Sequence, residues 1–172
     1  MFVKTAKQII RSVKVAGKPL SIHCEVQHIP RFQIALRNFL SQHKKRYGYA
    51  PILYCLTPVN KAYVEGFFGR VNEDFDKQLE KAYLDLQRNG YPIQLHVHLT
   101  FKSNLLPLKQ KKEVISNAYK WMRDIGLHPT ELVLGWWCNE KEMENIGSQL
   151  NLRLVKKDEY RVFHDHELLD LK

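Results

Sequence analysis

At 172 residues and 44% hydrophobic, the chain is sized for one domain with its own core. The three cysteines, Cys24, Cys55 and Cys138, are odd in number and lack Cys-x-x-Cys spacing, which argues against a disulfide framework or a cysteine zinc site and makes a reducing cytoplasm the expected compartment. No apolar run reaches the roughly 18 residues of a membrane span.

The net charge of +9 is unevenly placed, since Lys4, Lys7, Arg11, Lys14 and Lys18 all precede the first acidic residue, Glu25. Residues 1–18 therefore read as a basic extension. Such an arm suits phosphates or an anionic surface, but simple solvation explains it better; one serine and no cleavage pattern give little support to a transit peptide. Lys44-Lys45-Arg46 falls at the end of an expected helix, where cations meet the negative end of the dipole.

The elements alternate. Pro19 to Gln27 reads as a short strand. Arg31 to Tyr47 sets Phe32, Ala35, Leu36, Phe39 and Leu40 at helical spacing and ends at Gly48. Ala50 to Leu56 is a continuous apolar run, as in a strand covered on both faces, and Thr57-Pro58 stops it. Val59 to Asn72 reads as a loop with a short helix. Glu73 to Asn89 is helical, closed by Asn89-Gly90, and leads into the strand-like Gly90 to Phe101. Lys109 to Ile125 is another amphipathic helix. Glu131 to Leu134 is a strand followed by Gly135-Trp136-Trp137; Asn139 is placed to cap the next helix with Glu142 as reciprocal partner, and Met143, Ile146 and Leu150 form that helix's buried side. Glu159 to Phe163 is the last strand. This order predicts an α/β fold with mostly parallel strands, either an open sheet or a barrel.

His96 and His98 lie two apart in an extended segment, so their imidazoles share a face and can reach one zinc-like ion. Taken alone, the pair is equally explained by buried histidines bonded to backbone. Five of the eight histidines, however, fall at expected carboxyl ends of strands: His23, His96, His98, His164 and His166, with Glu25 beside the first. That edge is where α/β folds place their clefts, which favours a metal or catalytic centre. Asp165 would point away from its neighbours in a strand, or orient one of them in a loop. His28, His43 and His128 are read as surface or structural. Adjacent tryptophans put one ring inside, so Trp136 is assigned to the core and Trp137 to either core or a ligand platform.

Four segments, Leu20-Ser-Ile-His-Cys-Glu25, Arg46 to Cys55, Asn89 to His98 and Gly126 to Trp137, resemble the polysaccharide deacetylase family of nodulation-type enzymes. The resemblance runs from about Lys18 to the C-terminus. It implies one distorted, incomplete (β/α) barrel domain, a divalent ion such as zinc, and removal of N- or O-acetyl groups from a carbohydrate. Carried over by position, Glu25, His96 and His98 are the implied metal ligands and His164 or His166 the general acid, with Asp165 available to orient it. The general-base aspartate of the family falls at His23. The arginine expected before Leu134 is Val133, and the histidine pair has spacing two where many relatives have four.

Two other classes fit part of the pattern. A His-hydrophobic-His strand also marks metal-dependent endonucleases that act on single-stranded DNA with a tyrosine nucleophile, for which Tyr119 is the candidate. A non-catalytic carbohydrate- or nucleic-acid-binding domain would instead use Trp136, Trp137, Phe67, Phe68 and Tyr160 as stacking surfaces. An amidohydrolase-type barrel is disfavoured, because too few residues follow His98 to complete one.

Overall fold

A computed structural model describes residues 17–101, 104–137 and 141–170. The basic extension up to residue 16, Cys138 and the expected cap Asn139 lie outside the described residues.

The strands are β1 (Leu20–Cys24), β2 (Ile52–Cys55), β3 (Ile93–Val97), β4 (Thr100–Phe101), β5 (Asn104–Leu105), β6 (Glu131–Leu134), β7 (Arg153–Leu154) and β8 (Arg161–His164). The helices are α1 (Pro30–Tyr47), α2 (Lys61–Phe68), α3 (Phe75–Arg88), α4 (Leu108–Asp124) and α5 (Lys141–Gln149), joined by 3-10 turns at Pro58–Asn60, Gly135–Trp137 and Asp165–Asp170. Six strands form one sheet in the order β7-β6-β3-β2-β1-β8, every pair parallel, and β4 and β5 form a separate antiparallel hairpin. The α/β reading with parallel strands is correct. The sheet is not closed, since β7 and β8 are its two free edges.

Side-chain alternation explains how the sheet is loaded. Leu20, Ile22 and Cys24 of β1, Leu53 and Cys55 of β2, Ile93, Leu95 and Val97 of β3, and Leu132 and Leu134 of β6 point into one core cluster. The same cluster holds Leu36, Phe39 and Leu40 of α1, Val64 of α2, Leu79 and Tyr83 of α3, Ile115 and Met122 of α4, and Met143 and Ile146 of α5. Thus all five helices bury their apolar stripes on one face of the sheet. The intervening positions, Ser21, His23, Tyr54, Gln94, His96, Val133 and His164, occupy the other face.

That second face has a small plug of its own, in which Tyr54, Val133 and Val155 pack with Ile52, Trp137 and Tyr160. Around the plug, the Tyr54 hydroxyl donates to Glu131 (2.5 Å), and Arg153 pairs with both Glu131 and Glu159. The chain crosses from β7 to β8, the opposite edge, through residues 155–160 alone, so the edges bend toward each other over this plug.

α1 stops where expected, with Gly48 in the left-handed region (φ 76°) and its amide bonded to the Lys44 carbonyl. The segment read as loop with a short helix contains the Pro58 turn and α2. His43 and His28 are buried and His128 exposed. The His43 Nδ1–H donates to the Tyr49 carbonyl (3.2 Å) and its ring lies against Tyr47 and Tyr49, a packing role.

Candidate metal centre

The polar face of the sheet ends, at the carboxyl edge, in a cavity of about 430 Å³. Its floor carries His23, Glu25, His96, His98, His164 and His166, and its upper wall carries Tyr63, Phe67, Phe68 and Trp136. The ends of β1, β3 and β8 bring these side chains to one place. Register accounts for part of this, because His23 of β1 is level with His164 of β8 and with Tyr54 of β2.

Glu25 is 2% exposed and sits at the centre of the group. Its Oε1 lies 3.3 Å from His96 Nε2, 3.1 Å from His98 Nε2 and 3.6 Å from His164 Nδ1; its Oε2 lies 3.5 Å from His166 Nδ1. The two Nε2 atoms of the His-x-His pair are 3.1 Å apart. His96 Nδ1 faces the Val133 carbonyl at 3.2 Å, and a carbonyl only accepts, so Nδ1 carries a proton and Nε2 is the nitrogen free to offer a lone pair to a cation. A carboxylate oxygen and two ring nitrogens meeting edge to edge repel one another unless a proton or a cation lies among them. Their separations match the edges of a tetrahedron drawn with zinc–ligand bonds of roughly 2.1 Å, which are about 3.4 Å long.

His98 is held from behind. Asn60, at the end of the Pro58 turn, brackets the His98 backbone: its Nδ2–H donates to the His98 carbonyl (2.8 Å) and its Oδ1 accepts the His98 amide (3.4 Å). Tyr63 stacks on the His98 ring, centroids 3.5 Å apart and planes 13° from parallel, and burial together with the nearby Glu25 charge pushes its hydroxyl above the usual range. Gly135 is needed for space, since a Cβ there would lie 2.2 Å from His98 Nδ1.

Burial and neighbouring groups shift the ionisable side chains. Burial alone would raise the Glu25 carboxyl, but the imidazoles of His164, His166, His96 and His98 gathered around it outweigh burial and hold the group far below the usual carboxylate range. Burial depresses His98 to about 4, against a raising contribution from Glu25. Burial, with His96 and His164 beside it, also puts His23 well below its ordinary value. His166 is raised, chiefly by the Glu25 carboxylate 3.5 Å from its Nδ1. Within the cavity, the buried nitrogens that make no hydrogen bond among the described residues are His23 Nε2, His98 Nδ1, His164 Nδ1 and His166 Nδ1.

Two sequence expectations require correction. Asp165 does not orient His164 or His166. It is fully buried, and its carboxylate accepts the amides of Glu25 (3.0 Å) and Val26 (3.2 Å) and the Gln27 side-chain amide (2.7 Å), which fastens the end of β1 beneath the site. Trp136 is not core but 63% exposed at the cavity mouth, 6.4 Å from the Phe67 ring, while Trp137 packs against the plug. The cause is the turn after the strand, in which Trp136 and Trp137 both have left-handed backbone, φ 59° and 54°. Tyr119, the nucleophile considered for a nuclease, packs against the core and does not line the cavity.

Asn60, Tyr63 and Gly135 were not marked as functional by the sequence; the only signal was that Gly135 directly follows the strand paired with the His-x-His strand. No protein-family model matches the chain, and no curated protein matches it. Among the described residues, no helix is long and apolar enough to cross a membrane.

Proposed function

We propose that this chain is a metal-dependent hydrolase of the polysaccharide deacetylase kind, built on an unclosed (β/α) barrel and acting on an acetylated carbohydrate. The observation that carries the proposal is the convergence of His96 Nε2, His98 Nε2 and Glu25 Oε1 within 3.1–3.3 Å of one another at the floor of a cavity. The donor set fits a zinc-like divalent ion: two imidazoles and a carboxylate, a protonated Nδ1 behind one of them, and an open side toward the cavity. When bound, such an ion polarises an acyl carbonyl and lowers the pKa of a coordinated water.

The chain's own residues divide the remaining work. With Glu25 committed as a ligand, no other carboxylate among the described residues lines the cavity, so the proton acceptor is His23, whose buried Nε2 makes no hydrogen bond among those residues. This is the position at which related enzymes carry an aspartate. His166, with Glu25 favouring its charged form, donates a proton to the departing amine or alcohol, and His164 stands beside it, ring centroids 5.2 Å apart. Phe67 and Trp136 offer exposed aromatic faces at the entrance, suited to a sugar ring.

Acetate release from acetylated chitooligosaccharides by zinc-loaded protein tests the proposal. Turnover that is lost in a folded His96→Ala/His98→Ala variant is expected. Nicking of single-stranded DNA without acetate release would replace the reading with the nuclease class, and saccharide binding without any turnover would replace it with a binding domain.

A further inference from the structure

Six side chains that can donate to a metal surround this cavity floor, Glu25 and the histidines at 23, 96, 98, 164 and 166. A four-coordinate ion that keeps one position open for water takes three protein ligands, so a single ion leaves half of the set unused. The remaining histidines at 164 and 166 have no neighbour that holds them away from this floor: their buried Nδ1 atoms make no hydrogen bond among the described residues and stand 3.6 and 3.5 Å from the Glu25 carboxylate. We infer that the floor holds two cations, bridged by the Glu25 carboxylate, the second one bound by His164 Nδ1 and His166 Nδ1.

This rests on the metal-centre reading above and extends it, with one change of role: as ligands, His164 and His166 no longer supply the leaving group's proton, and His23 returns to it the proton it took from the attacking water. Donor atoms of Glu25, His164 and His166 all lie within 4.8 Å of one another, with carboxylate–imidazole separations of 3.5 and 3.6 Å. Glu25 shows both oxygens to ring nitrogens: Oε1 meets His96, His98 and His164, and Oε2 meets His166. A carboxylate used in this way holds two ions at roughly 3.5–4 Å, the separation at which a pair can clamp the attacking and leaving oxygens of one substrate.

The histidines at 164 and 166 are fixed by features that a lone surface pair would not have. They flank Asp165, whose grip on the amides of Glu25 and Val26 joins the segment carrying the second site to the strand end carrying the bridge. The His164 amide also donates to Glu167 Oε2 at 3.1 Å. His23 lies between the sites, its ring 4.5 Å from that of His96 and 5.0 Å from that of His164, and stays available for proton transfer.

The test counts metal in the full chain. Wild type and the variants His164→Ala/His166→Ala and His96→Ala/His98→Ala are loaded with zinc, desalted and measured by native mass spectrometry, with circular dichroism to establish folding. Two ions per wild-type chain and one in each double variant are expected. One ion in wild type that survives the 164/166 change overturns the second site but leaves the first. One ion lost in both variants means all four histidines serve a single ion, which also overturns the inference. No ion in wild type refutes the metal-centre reading itself. Wild type loaded with two equivalents of manganese gives an independent readout: a spin-coupled pair signal in electron paramagnetic resonance is expected, and only isolated-ion spectra would contradict it.

Discussion

The substitution Gly135→Ala adds one methyl group next to His98, a ligand in the proposed metal centre. Its Cβ would stand 2.2 Å from His98 Nδ1 and 2.3 Å from Cε1. Ordinary contact is about 3.5 Å, so the ring must retreat by roughly 1.3 Å. Tyr63, already stacked on that ring at 3.5 Å, closes one direction of retreat, and Asn60 holds the backbone in place. A displacement of this size exceeds the roughly 0.5 Å within which a ligand set keeps its productive geometry. Overpacking of this kind costs about 1–3 kcal/mol of stability. Disturbing groups that merely orient a ligand costs about 10- to 100-fold in metal affinity, and moving the ligand itself is expected to cost at least the upper figure. Zinc titration calorimetry, with a urea midpoint on each protein, separates the two effects. A folded Gly135→Ala protein that binds zinc as tightly as wild type would refute the idea that Nε2 of His98 is a ligand in the position described.

Asp165→Ala strands three donors, the amides of Glu25, Val26 and Gln27, and at about 1–3 kcal/mol each the loss of stability should exceed 3 kcal/mol by chemical denaturation; a loss under about 1 kcal/mol would contradict the bracing role. His43 is neutral and buried far from the site, and burial lowers its proton affinity in the folded state. As pH falls below about 6.5 the unfolded chain takes up a proton that folded His43 resists, so stability drops; the fall in urea midpoint between about pH 7.5 and about pH 5.5 should be smaller in His43→Phe than in wild type, and an equal fall would oppose this assignment. Tyr63→Phe keeps the stack on His98 and removes the hydroxyl near Glu25, so zinc binding should weaken while the fold holds; unchanged affinity would make Tyr63 a packing residue only.

Much of the fold was legible because parallel strands and their crossover helices leave strong periodic traces. β1 and β3 alternate residue by residue, sending Ile22 and Leu95 to the core and His23 and His96 to the opposite face, and the histidine pair was placed from that rule alone. Curvature was not legible: whether the edges β7 and β8 would pair depends on side chains such as Arg153, Glu131 and Tyr160 meeting across the sheet. Trp136 was misplaced because nothing in a tryptophan signals a left-handed backbone. Val133 illustrates a different limit. The arginine expected there is absent, yet the residue still orients His96 through its backbone carbonyl, a contact that any side chain would allow. Asp165 had two readings in sequence, and its true partners are backbone amides 139 and 140 positions away along the chain.

The central claim is that His96, His98 and Glu25 enclose a cation. Anomalous diffraction at the zinc edge from crystals grown with zinc tests it most directly. A peak about 2.1 Å from both Nε2 atoms and from a Glu25 oxygen is expected. Density without such a peak, with the two rings turned apart or Glu25 withdrawn, would contradict the account.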